Sequence, residues 1–141
     1  MTPRRLGTKT VDRDQATHYL EKARGFLADA ELMLQLGEFS GNGIAVLCVH
    51  AAIAFSDAVS IKAAGRKSAS GEHTDAVQVL QGALGALNAA DKAALKALRA
   101  VLQRKDEVSY TRTRLDHDAA AHMLARLVTF ARWAEARVDA L

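Results

Sequence analysis

Proline occurs once in this chain of 141 residues, at position 3, so no pyrrolidine ring breaks or kinks a helix anywhere downstream. The uninterrupted stretch is filled chiefly by Ala and Leu, which lose little on entering a helix. An all-α fold follows. Ala16, Leu20, Ala23, Leu27, Ala30 and Leu34 recur at three- and four-residue spacing, predicting an amphipathic helix from about Asp14 to Leu36, which Gly37 ends. Ser40 or Asn42 can cap a second helix over 43–64, with Gly65 closing it. This helix shows little polar face before Ser56, which predicts that it is the central and most enclosed element.

A short helix is predicted over 76–85, with Val77, Leu80 and Leu84 on one side. A fourth is expected over 92–110, capped by Asp91. The fifth, over 117–140, is expected to bury Ala121, Leu124, Val128, Ala131 and Val138, with Trp133 at an edge of the core. Four long helices and one short one predict an up-and-down bundle in which short loops make sequence neighbours antiparallel. Residues 1–12 carry no apolar periodicity and read as a flexible N-terminal arm, leaving 13–141 as a single domain of ordinary size. No strand is expected.

Half the residues are apolar and a quarter charged, a globular balance that argues against disorder. No apolar run approaches the roughly 20 residues of a membrane span. The first residues lead into no signal-like apolar stretch, so a cytoplasmic location away from membranes is expected. The lone cysteine, Cys48, can form no intrachain disulfide and lies in an apolar run that suits a buried, unreactive thiol. A net charge of +3 permits nucleic acid as a partner without demanding it. Basic residues gather at Arg4, Arg5 and Lys9, at Arg66-Lys67, and from Arg104-Lys105 through Arg112 and Arg114.

Polar residues on otherwise apolar surfaces are the informative ones, because burying a polar group without a partner costs about 1–3 kcal/mol. His50 and Asp57 are seven apart, two turns of the second helix, and share its face with Val46, Ile53 and Ile61. An aspartate there needs a partner. His73, Lys105 and Tyr110 are the candidates if the second and fourth helices are adjacent. This group reads either as a satisfied network that fixes packing or as a ligand pocket. No metal and no cofactor is expected. Among the five histidines no pair has the i, i+4 spacing of a shared ligand set, and His117 and His122 stand about 140° apart around a helix.

The segments His50-Ala51-Ala52-Ile53-Ala54-Phe55-Ser56-Asp57-Ala58, Gly71-Glu72-His73-Thr74-Asp75-Ala76 and Lys105-Asp106-Glu107-Val108-Ser109-Tyr110 resemble the HEPN family of small bacterial proteins over nearly the whole chain. That resemblance implies a four- to five-helix bundle that dimerises with itself. It further implies metal-independent RNA cleavage in a toxin–antitoxin or host-defence setting, with an antitoxin or a minimal nucleotidyltransferase as partner. The family motif, Arg followed four to six residues later by His, is matched by Arg112 and His117. In that reading Arg112 stabilises phosphate charge, His117 assists attack by a ribose 2′-hydroxyl, and Arg104 and Arg114 add phosphate-binding charge. Thr113 stands where active members often carry Asn, Asp or His. Other HEPN proteins lack nuclease activity and act as binding or partner modules for a nucleotide or protein ligand, the alternative this departure leaves open.

Overall fold

The structure, a computed structural model, describes residues 7–69, 73–105 and 114–141. Among these, five α-helices form: α1 (Ala16–Leu36), α2 (Gly41–Ala64), α3 (His73–Leu84), α4 (Ala89–Leu102) and α5 (His117–Ala140). A single 3-10 turn, Arg13–Gln15, leads into α1. The fold is mainly helical, as the sequence predicts. Most boundaries have visible chemical causes. Ser40 caps α2 by accepting from the Gly43 amide at 3.1 Å. Gly37 and Gly65 end α1 and α2 at φ of 71° and 67°, left-handed positions where a Cβ would be strained.

Several helix predictions shift. Helix α3 begins at His73 rather than at 76, and α4 ends at Leu102, with Gln103 as its C-cap, well short of position 110. Asp91 does not cap α4. Asn88 does, accepting from the Asp91 amide at 2.8 Å while the Asp91 carboxylate accepts from the Asn88 amide at 3.1 Å, a reciprocal box that starts the helix one turn earlier. Helix α5 buries Leu124 and Ala131 as expected, but together with Ala120, Met123, Leu127, Phe130 and Ala134, while Ala121, Val128 and Val138 are only half-buried. Two apolar stripes overlap on α5, and the one carrying Met123 and Phe130 faces the core.

Helix α2 is the central element, packed by α1, α5 and α3. By length and composition it could cross a membrane, yet 78% of its most apolar 18-residue window is covered inside the bundle, the position of a core helix. Helices α1 and α2 form an antiparallel hairpin. At the start of α2, a Cβ on Gly41 would overlap the Leu115 carbonyl and lie 2.8 Å from that of Asp116, so α2 and α5 begin side by side and run the same way. Trp133 Nε1 donates to the Asp91 carboxylate at 3.0 Å, with Arg137 Nε 3.8 Å from the same oxygen, which sets the start of α4 against the end of α5. Helix α4 is therefore antiparallel to α5. Val77, Gln78 and Gln81 of α3 line one cleft with Arg99 and Leu102 of α4 and with Gln103 just after it, and Arg99 donates to Gln81 at 3.4 Å, so α3 and α4 are antiparallel too.

These senses leave α2 and α3 running the same way, contrary to the expected alternation. The chain returns between them through a strand that the sequence does not announce. Arg66–Ser68 (β2) pairs antiparallel with Thr8–Thr10 (β1), in the register Thr8↔Ser68, Lys9↔Lys67, Thr10↔Arg66. Flanking bonds extend the ribbon, from Val11 N to the Gly65 carbonyl at 2.9 Å and from Ala69 N to the Gly7 carbonyl at 3.0 Å. Residues 7–11, within the segment expected to be an arm, are thus tied to the end of α2.

Candidate functional site

Helix α2 separates the sequence-predicted residues into two regions. At its beginning lies His117, exposed in the first turn of α5 behind the cap Asp116, which accepts from the Ala119 amide at 2.8 Å. His117 Nε2 is 3.0 Å from the Phe39 carbonyl. A carbonyl only accepts, so this nitrogen donates, and in the neutral ring Nδ1 is left as an acceptor. Asn42 Oδ1 accepts from the Leu115 amide at 2.9 Å, a second tie between the start of α5 and the start of α2. Arg114 is exposed three residues before His117. Arg104 and Lys105 follow the end of α4, half-buried and each with an interaction partner, and because α4 is antiparallel to α5 they return toward the same end. Arg112 and Tyr110 lie outside the described residues.

Some 24 Å along α2, at ~1.5 Å per residue from Gly41, stands Asp57. It is buried, and the ion pair it makes is with Lys67 of β2, at 3.5 Å. Burial pushes its carboxyl up to about 6, against the opposing pull of Lys67 and, more weakly, Lys22. Lys67 also lies over the Tyr19 ring, 4.8 Å from its centre. His50 shares the Asp57 face in angle but not in burial. Among the described residues no strand covers α2 at its level, and the imidazole is exposed, held against Phe26 of α1 with ring centres 5.5 Å apart. Lys22 sits over the other end of this group, 6.0 Å from the Phe26 ring centre.

His50 and Asp57 therefore do not form one buried network. His73 opens α3 at the level where α4 ends, near Lys105 in sequence register, its side chain lying outside the description. The residues that sequence reasoning missed are Lys67, Tyr19, Lys22 and Phe26. Lys67 was visible as part of a basic pair. Its role depends on β2 folding back over α2, which no periodicity signals. The Cys48 thiol is fully buried and pushed up to about 12 by that burial, which removes it from nucleophilic chemistry. Among the described residues no three His, Cys, Asp or Glu side chains gather as a metal site would need. The chain matches no family model, no curated protein and no solved structure.

Proposed function

We propose that this chain is a HEPN-type protein that cleaves RNA without a metal, as a homodimer, with His117 as the base. The observation that carries this reading is the His117–Phe39 bond. It orients an exposed imidazole with Nδ1 free to take the proton of a ribose 2′-hydroxyl. The 2′-oxygen then bonds to phosphorus, the 5′-oxygen leaves, and a second imidazole from the dimer mate returns a proton to it. Arg112, Arg114 and Arg104 supply charge for the phosphate. Leu32 and Leu36 of α1 are each 53% exposed and Phe39 is 41% exposed, an apolar group at the His117 end suited to a dimer contact.

A toxin or defence role, with an antitoxin or nucleotidyltransferase partner, belongs to the same proposal. The decisive experiment incubates purified protein and the His117→Ala variant with single-stranded and transfer RNA in the presence of a chelator. Cleavage by the parent alone supports the reading, and intact RNA with both sinks it. The second reading, a non-catalytic module for a nucleotide or protein ligand, is favoured by the way the His117 and Asn42 bonds together fasten the start of α5 to the α1–α2 connector and to the start of α2. On that reading His117→Ala lowers the melting temperature and changes no activity.

A further inference from the structure

The cleavage reading leaves unused a strip of alternating cations and rings on the α1–α2 hairpin. Arg24, Leu27 and Glu31 are the α1 residues that line the groove toward α5. Tyr19, Lys22 and Phe26, at three- and four-residue spacing, make a different stripe on α1, turned toward the other flank of α2. Lys67 lies on Tyr19 beside the ribbon, and about one helical turn further along α1 Lys22 lies on Phe26, which in turn meets His50 at the middle of α2. Asp29, next along the same α1 stripe, ends the positive stretch.

The ribbon adds a feature that folding alone does not favour. Lys9 and Lys67 are direct cross-strand partners, and like charges in that position destabilise a strand pair. The buried Asp57 carboxylate offsets Lys67 from beneath, and Lys9 stands exposed beside it. An anion bridging the two lysines relieves the repulsion. The spacing indicates the kind of anion. Asp57, which marks the Lys67 level, and His50 are seven residues apart, ~10 Å along the helix. A row of cations of that length suits an extended polyanion better than a single small anion. Cationic side chains interleaved with an exposed ring are what a single strand needs, charge for its backbone and a face for its bases.

We propose that Lys9, Lys67, Lys22 and His50 form a binding track for single-stranded RNA, with phosphates at the lysines and an unstacked base on the His50 ring. The track rests on the RNA reading above but not on cleavage, because it lies along α2 away from His117.

The test is fluorescence anisotropy with a labelled 12-nucleotide single-stranded RNA on the full chain carrying His117→Ala, across a salt series. Lys9→Gln and Lys22→Gln are each expected to weaken binding several-fold and to lower the slope of log affinity against log salt by about 1. His50→Ala is expected to weaken binding about tenfold with the slope unchanged. Lys9→Gln removes a repulsion, so circular dichroism melts should show no loss of stability. If the lysine variants bind with the parent's affinity and slope, the track is overturned while cleavage by the unmutated protein stands or falls separately. Variant-sensitive binding in a protein that never cleaves RNA supports the track and sinks only the cleavage reading. No binding overturns the track, as it does if the lysines serve merely to deter edge-to-edge strand pairing. Tighter, equally variant-sensitive binding to anionic vesicles or duplex RNA overturns the single-strand assignment.

Discussion

A carboxylate stripped of water on folding holds its proton more tightly unless a cation comes with it, and at Asp57 the stripping wins. The folded group titrates near 6, above its ordinary value of 3.8. The folded chain therefore takes up this proton as the pH falls through 6, while the unfolded chain waits until about 4. From this group alone, stability rises as pH falls from 7 to 4, by up to about 3 kcal/mol, since a tenfold difference in proton affinity between the folded and unfolded chains is worth about 1.4 kcal/mol. Asp57→Asn should remove that slope. Denaturant unfolding of both proteins at several pH values reads it out. The stability of the variant relative to the parent should be greatest above pH 7 and should shrink toward pH 4, and a pH-independent difference would refute the assignment. Gly41 gives a second expectation at this scale. Its Cβ would meet backbone of residues 115 and 116 rather than a side chain that can swing aside, so Gly41→Ala should cost about 3 kcal/mol. The sequence marks Asp57 as a buried residue in need of a partner, because its position on an apolar helix is a local fact. It cannot mark Lys67, ten residues on, because that pairing is created by a strand reversal.

Among the elements, helices were readable and the ribbon was not. Helical periodicity repeats within each segment, so α1 and α2 carry their own evidence in Leu20, Leu27, Ile44 and Ile61. Strands of three residues contain no repeat to read, and Thr8–Thr10 finds its partner almost sixty positions away. The start of α4 was misread for a smaller reason. Asp91 is a good cap residue, and only the reciprocal bond with Asn88 shows it sitting three positions inside the helix. Asp91 then has a further task, receiving Trp133 from α5. Trp133→Phe keeps the stacking on Phe130, whose ring centre is 5.5 Å away, and deletes the bond, leaving a carboxylate oxygen to Arg137 alone. A loss of about 1–3 kcal/mol is expected by thermal or chemical unfolding. A neutral result would mean that Arg137 closes the gap.

Among the described residues, an apolar surface group lies at the His117 end and cationic side chains line the hairpin. Leu36→Glu places charge in the apolar group on an exposed helix position, where it should cost little stability. If the proposed dimer uses this surface, analytical ultracentrifugation should show the variant as a monomer and RNA cleavage should fall with it. An unchanged dimer would place the contact elsewhere. The two-region division of the candidate residues was not legible in the sequence. Position along a helix can be counted, but which ends meet depends on chain senses set by Gly41, Asp91 and Trp133. The antiparallel expectation failed between α2 and α3 because the ribbon, rather than a tight loop, reverses the chain.

That ribbon also orders events during synthesis. It joins residue 8 to residue 68, so the first 69 residues can close into a clasped hairpin while α5 is still being made. In that interval α2 has one long neighbour in place and the face destined for Leu124, Leu127 and Phe130 open to solvent. The nascent chain is then at its most adhesive, and it stays so until the C-terminal helix arrives to cover it.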